Sequence, residues 1–443
     1  MADRRLAALR AEVEAGIKSA KCDNVKRREL HAKIELLRLD LEEERALAKG
    51  TVRLTPIKVV EKGGAAGKDK VLTASVQTVV PGSISAEEEK ELDALVGLVS
   101  LEPVERPFRW WYWLDIGFRF VGVCMGFLTI GVFLSLPIIF LRLVDAVLGL
   151  GPFDSISERL RIIICKFLLI LSGVQVDVQG LNRESFSEPC TLLTFTHASN
   201  IDGFLVSSTC PIRHYALAKK ELFYVPFFSW ISIAIGGVPV DRQNRDRAVA
   251  TLKRTTEAAK LSKMCLVIAP EGTRSLTGHL LPFKKGFTHM WDELKAPIVP
   301  LVLFGAWDLY PVGSWVNQCG HVAVRYLPPI LPHEINSREQ VTRIVRRRIL
   351  EALLATPKTI GDDLNWAQRL TSVAVTLLNI AFDYVALLVF RNVAFERLGL
   401  STWMTAFYST GVIVAVTIAL YVYTVYFVDW MYPSRPIKKE KAT

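Results

Sequence analysis

Among the seven histidines of the sequence, only His197 has a carboxylate five positions downstream, in His197-Ala-Ser-Asn-Ile-Asp202. A neutral imidazole is the side chain best suited to take a proton near pH 7. A carboxylate on its other ring nitrogen would fix the tautomer and stabilise the imidazolium that forms. Spacing decides where such a pair can exist. On a continuous helix, five steps rotate about 140° and point the two side chains apart. The pair meets only if His197 sits on a turn and Asp202 opens the helix that follows. The apolar run 192–196 ends immediately before His197, which suits a strand, a turn and then a helix. The carboxyl end of a strand is where open α/β sheets place their sites. Taken alone, the same spacing also fits a structural histidine.

Three more blocks follow: Gly236-Gly-Val-Pro-Val-Asp-Arg242, Pro270-Glu-Gly-Thr-Arg-Ser275 and Ala296-Pro-Ile-Val-Pro300. With the H-x4-D pattern of His197 and Asp202, their order and spacing resemble the glycerophospholipid acyltransferase superfamily, the lysophosphatidic-acid-acyltransferase-like enzymes. The resemblance covers roughly residues 170–330 and leaves the N-terminal 100 residues outside it.

That resemblance implies transfer of a fatty acyl group from a thioester to a hydroxyl. Acyl-CoA would be the co-substrate, with no bound cofactor and no metal. The acceptor would be a lysophospholipid, with 1-acyl-glycerol-3-phosphate favoured because the second and third blocks keep their arginines. Glycerol 3-phosphate, another lysophospholipid or a CoA-independent transacylation are the other acceptor readings, and a membrane scaffold on an inactive acyltransferase domain is the non-enzymatic one. His197 and Asp202 would form a general-base dyad acting without an acyl-enzyme, since the substrate supplies the hydroxyl. Arg242 and Arg274 each follow an apolar run, and guanidinium groups bind phosphate through paired hydrogen bonds. Gly272 and Thr273 would let backbone N–H groups approach the substrate. Two roles stay open for Glu271: it could accept a hydrogen bond from an acceptor hydroxyl or lock Arg274 in place. Asp241 and Lys284 stand at the margin of the predicted substrate site.

The elements that must position these residues can be read from patterning. Short apolar runs at 192–196, 236–240, 265–269 and 298–304 alternate with helical stretches such as 245–261. Alternating strand and helix signals imply an α/β fold with a mixed, largely parallel sheet and flanking helices. We place this acyltransferase domain at residues 175–357. Residues 1–48 read as two short amphipathic helices, because Leu6, Leu9, Val13, Leu30, Ile34, Leu37 and Leu41 share a heptad register that polar residues interrupt. Their apolar face suits self-association or contact with a membrane surface. Residues 49–107 read as a linker. Residues 108–174 carry a charge-free run at 120–140 that can cross a bilayer and a shorter apolar stretch at 162–174 that suits a re-entrant or interfacial segment. Residues 366–430 read as a transmembrane hairpin built from 370–390 and 406–428. Asp383 within it is expected to face the protein interior or the interface. The helix 338–354 gathers Arg343, Arg346, Arg347 and Arg348, so it either lies on anionic lipid or closes the domain.

Composition agrees with this division. The 443 residues are 51% hydrophobic, about 55% with Gly counted in place of Tyr, against the 45–50% of ordinary soluble domains, yet 22% are charged. A soluble-type domain with membrane segments accounts for both figures. The net charge of +10 calls for an anionic partner, and with no nucleic-acid-binding motif that partner is a phosphorylated substrate or a lipid bilayer. The seven cysteines are scattered, so no disulfide framework or zinc site is expected. The charged first 50 residues argue against a cleavable secretory signal. Residues 431–443 form a basic tail ending Lys439-Glu-Lys441-Ala-Thr443, which resembles a dilysine retrieval signal. Together these features predict a multi-pass protein of the endoplasmic reticulum with a cytosolic catalytic domain.

Overall fold

The computed structural model describes residues 2–18, 23–48, 52–61, 70–79, 84–101, 110–130, 153–186, 190–225, 228–314, 318–357, 360 and 364–398. In chain order the elements are α1 (Ala2–Lys18), α2 (Asn24–Ala48), β1 (Val52–Glu61), β2 (Lys70–Val79), α3 (Ala86–Leu98), α4 (Trp110–Thr129), α5 (Phe153–Leu171), β3 (Val174–Gln179), β4 (Leu192–Phe195), α6 (Asp202–Thr209), β5 (His214–Lys219), α7 (Phe228–Ala234), β6 (Gly237–Val240), α8 (Arg245–Ser262), β7 (Cys265–Ile268), α9 (Lys285–Leu294), β8 (Ile298–Phe304), α10 (Ala306–Leu309), β9 (Gly320–Tyr326), α11 (Arg338–Leu353) and α12 (Trp366–Leu398).

Seven strands form one sheet in the order β3-β9-β8-β4-β7-β5-β6. Every neighbouring pair is parallel except β8 and β9, which run antiparallel. The central strands β4 (Leu-Leu-Thr-Phe) and β7 (Cys-Leu-Val-Ile) are buried at every position. Continuous apolar runs of this kind are what a parallel sheet covered on both faces requires. Alternate residues then serve opposite faces. Leu192, Leu266 and Ile298 pack against Phe287, Met290 and Trp291 of α9 and Val341, Val345 and Ile349 of α11. Leu193, Val267 and Val299 pack against Leu169 of α5 and Leu205 and Val206 of α6.

Three strands of this sheet, β3, β5 and β9, escaped the sequence reading. The Val-Gln-Val-Asp-Val-Gln run of β3 has the period of two that marks a strand, and β9 pairs with it in parallel. Together they extend the sheet in the reverse direction through the antiparallel β8–β9 join.

The N-terminal heptad residues are covered inside the chain. Leu6, Leu9, Val13, Leu30, Ile34, Leu37 and Leu41 pack with Leu92, Leu95 and Val99 in one cluster. The apolar face expected to serve self-association is therefore occupied by α3. The region expected to be a linker holds the antiparallel β1–β2 hairpin and α3. A Ser85–Glu88 capping box starts α3.

The arginine-rich helix α11 turns its charges towards α2. Arg346 pairs with Glu35 at 2.6 Å, Arg347 pairs with Asp40 at 2.8 Å, and Arg343 donates to the Leu39 carbonyl at 2.6 Å. Its opposite face, Val341, Val345, Ile349 and Leu350, is buried. Of the two expectations for this helix, domain closure is the arrangement found.

The membrane segments are corrected in part. Among the described residues, one helix is long and apolar enough to cross a membrane, at Trp366–Ala386 within α12. The run 120–140 does not define a helix of its own: α4 begins ten residues earlier and contains Asp115 and Arg119. Those two are paired with each other at 3.0 Å, and Arg369 of α12 reaches Asp115 at 2.9 Å. The stretch 162–174 is split between α5 and the start of β3. Its Ile164, Cys165, Leu168 and Leu169 are buried while Ile163 is 55% exposed, so α5 packs one apolar face against the domain and turns another outward. Asp383 accepts from the Thr129 hydroxyl at 2.6 Å and so faces α4. Residues 131–140, the second arm of the predicted hairpin and the basic tail lie outside the described residues.

Candidate active site

The chain leaves β4 at Phe195 and enters α6 at Asp202, which leaves six residues for the turn. Within that turn His197 Nδ1 lies 2.8 Å from Asp202 Oδ2. The backbone N–H groups of Ala198 and Ser199 donate to the same oxygen at 2.8 and 2.7 Å. Three donors converging on Oδ2 make it an acceptor, so the ring proton sits on Nδ1 and the lone pair on Nε2. Asp202 is fully buried at the first turn of α6, where the helix dipole favours a carboxylate. The His197 side chain keeps 18% of its surface exposed, enough for Nε2 to meet a substrate. Phe195 stands edge-on to the ring at 5.3 Å between centroids.

The peptide of His197 is held on both sides. Its N–H donates to Glu271 Oε1 at 2.9 Å, and its carbonyl accepts from the Ser275 N–H at 2.8 Å. Glu271 Oε2 accepts from the Leu281 N–H at 2.9 Å. Glu271 thus spends both oxygens on backbone N–H groups rather than on Arg274. It is buried and bonded to backbone, joining the strand-end loops after β4 and β7. Burial pushes its carboxyl up to about 8, against the pull of the two backbone bonds.

Gly272 turns the chain with φ +67, and a Cβ there would stand 2.8 Å from Lys284 Cγ. Thr273 is exposed and Arg274 half-buried on the following residues. Arg242 leaves β6 at the same end of the sheet, because β4, β7, β5 and β6 are all parallel. Burial, and then the like charge of Arg274, weaken the hold of Arg242 on its proton. Two guanidinium groups thus share one region, and among the described residues neither is ion-paired with a carboxylate.

Asp241 is engaged elsewhere. Its Oδ1 accepts from the N–H groups of Gln243 and Asn244 at 3.2 and 3.3 Å, shaping the turn into α8. Lys284 is exposed, and its N–H donates to the Pro270 carbonyl at 2.7 Å.

Several cleft residues carried no sequence signal. Tyr310, whose hydroxyl burial pushes up, interacts with Asn200 and feels the charge of Arg274, which brings that arginine near the His197 turn. Ser199 Oγ donates to the Tyr310 carbonyl at 2.6 Å. The cleft at His197 is lined by Thr196, Leu280 and Trp307, and also by Arg28 and His31 of α2. His31 stacks on His279 at 3.9 Å, and burial drives both imidazoles down to about 3, so both are neutral. No local spacing links residues so far apart in sequence. Among the described residues, no cluster of three or more His, Cys, Asp or Glu side chains could hold a metal ion.

Residues 175–303 match the acyltransferase family. The 1-acyl-sn-glycerol-3-phosphate acyltransferase of Limnanthes alba is 29% identical over 202 residues, 45% of this chain and 71% of that protein. The protein of the same name from Cocos nucifera is 33% identical over 165 residues, 37% of this chain and 53% of that one. That from Saccharomyces cerevisiae is 32% identical over 199 residues, 44% and 65% of the two chains. Among solved structures, PlsC from Thermotoga maritima, titled a 1-acyl-sn-glycerophosphate (LPA) acyltransferase, aligns with a TM-score of 0.46 and 21% identity, covering 55% of this chain and 96% of that one.

Proposed function

Residues 175–303 match the acyltransferase family, and from that match we propose that the protein acylates the free hydroxyl of 1-acyl-glycerol-3-phosphate with acyl-CoA, giving phosphatidic acid. The observation that carries this reading is the His197–Asp202 pair at 2.8 Å through Nδ1, with no bond to Nε2 among the described residues.

In the proposed reaction His197 Nε2 takes the acceptor's hydroxyl proton as the oxygen attacks the thioester carbonyl carbon. Asp202 stabilises the imidazolium through Nδ1–H. The tetrahedral intermediate collapses, the carbon–sulfur bond breaks, and the thiolate leaves with the proton that His197 returns. The enzyme ends as it began, with no acyl group attached. Arg242 and Arg274 supply the positive charge for the acceptor's phosphate. The Thr273 N–H of the Gly272–Thr273 turn would meet the oxyanion.

The candidate span in α12 would anchor the catalytic domain at a bilayer, where a two-chain product must go. We place the protein in the endoplasmic reticulum with this domain facing the cytosol, where acyl-CoA is available.

The test is product formation by the purified full chain in lipid vesicles, given labelled acyl-CoA and a panel of lysolipids. Labelled phosphatidic acid from lysophosphatidate, in preference to products from uncharged-headgroup acceptors, is the expected result. Equal acylation of every acceptor would remove Arg242 and Arg274 from acceptor recognition. No product with any acceptor would overturn the reading.

A further inference from the structure

The helix α2 lies outside residues 175–303, yet it reaches the catalytic turn through an unbroken series of polar contacts. Glu35 of α2 accepts from Arg346 Nη2 of α11 at 2.6 Å. Arg346 Nη1 donates to the Leu281 carbonyl at 2.8 Å. The Leu281 N–H donates to Glu271 Oε2, and Glu271 Oε1 accepts from the His197 N–H, each at 2.9 Å. Four bonds thus connect α2 to the peptide of the proposed base.

The link is fixed at every joint. The side chains of Glu35 and Arg346 are each only 11% exposed. The Arg346 guanidinium also lies over the Phe283 ring at 5.9 Å, and Arg38 Nε approaches the second oxygen of Glu35 at 3.5 Å. A second arm reaches the same turn from the other side. Asn24 and Arg28 both bond Asp308 on α10, and the Tyr310 carbonyl just beyond it holds Ser199. The turn that carries His197 is therefore gripped from α2 on two flanks.

We propose that Glu35 and Arg346 are positioning residues for acyl transfer, holding the His197 peptide through Leu281 and Glu271. The inference rests on the acyl-transfer reading above. A small displacement of a general base costs rate rather than substrate affinity, because the proton transfer is made only in the transition state.

The experiment uses the full chain in vesicles and three variants. Glu35→Met/Arg346→Met replaces a buried ion pair by apolar side chains, an exchange that proteins often tolerate without loss of stability. Glu35→Gln keeps one acceptor oxygen. The expected result for the double variant is a kcat lower by about tenfold, with KM for both substrates within about twofold of wild type. Amide hydrogen exchange should quicken in the peptide spanning residues 192–203 in the double variant and in Glu35→Gln, while the thermal midpoint stays within a few degrees. The Glu35→Gln loss should be smaller, and Glu35→Asp should recover part of it. A double variant with wild-type kcat and unchanged exchange at 192–203 would overturn the inference, as would a kcat loss equal to the unfolded fraction. Failure of the acyl-transfer reading looks different: wild type itself would make no product, and the exchange measurement would still decide whether the link holds the turn.

Discussion

The His197 turn and the Arg242–Arg274 region lie at the same end of one sheet, but their polar groups are treated differently. In the turn, Asp202 Oδ2 receives three donors, the His197 peptide is bonded at both ends, and Glu271 uses both oxygens on backbone. Around the arginines the fold brings two like charges together and, among the described residues, gives neither an ion-pair carboxylate. A group that must act the same way in every cycle gains from being fixed before substrate arrives. A group that must bind an anion gains from having no competing partner, since its hydrogen bonds are then free for the ligand. In the proposed reaction the first region does the chemistry and the second the recognition.

This contrast can be broken at either side. The largest expected effect is at His197: His197→Ala should lower kcat by roughly 10²–10⁴ with lysophosphatidate binding little changed, measured by steady-state product formation. Glu271→Gln comes next. The amide NH2 cannot accept where the second carboxyl oxygen does, so one of the His197 and Leu281 N–H groups loses its partner. A fall of about tenfold in kcat is expected, with faster hydrogen exchange in the turn.

Glu271 also predicts a pH effect on stability. Burial raises its carboxyl from 4.5 to about 8 in the folded protein. The folded chain then keeps a proton that the unfolded chain releases, so the stability linked to this group is full below pH 4.5 and is lost as pH rises towards 8. Thermal melts of wild type and Glu271→Gln between pH 5 and 8 check the sign: the wild type should lose ground against the variant as pH increases. The smallest effect is expected at Asp241. Asp241→Asn keeps the oxygen that serves Gln243 and Asn244, so activity should stay within about twofold of wild type. A large loss there would mean that Asp241 meets substrate after all.

The parts of the molecule legible in the sequence are those set by local patterning. The apolar runs that became β4, β6, β7 and β8 were identified within a residue at their ends. The turn holding His197 followed from the spacing argument, because five residues cannot bring two side chains together on a helix. What was not legible depends on distant partners. The arginines of α11 find their carboxylates about 300 residues earlier in the chain, at Glu35 and Asp40. The stacking of His31 on His279 has no periodic signature at all. The start of α4 was misread because Asp115 and Arg119 look like a break in an apolar run, whereas pairing with each other and with Arg369 lets the helix contain them. The sequence places Glu271 beside the predicted substrate site, but its partners are two backbone amides from separate loops.

The central claim is that chemistry and recognition are divided between the two regions, and one comparison tests it directly. Steady-state kinetics on lysophosphatidate should be measured side by side for Asp202→Asn and Arg274→Ala. The account predicts a split: Asp202→Asn lowers kcat by roughly 10²–10⁴ with KM nearly unchanged, because the tautomer and the imidazolium lose their partner. Arg274→Ala raises KM by roughly tenfold or more with kcat largely kept, because a charged hydrogen bond to phosphate is lost in ground state and transition state alike. If both variants changed the same constant, the two regions would not have separate duties and the account would be wrong.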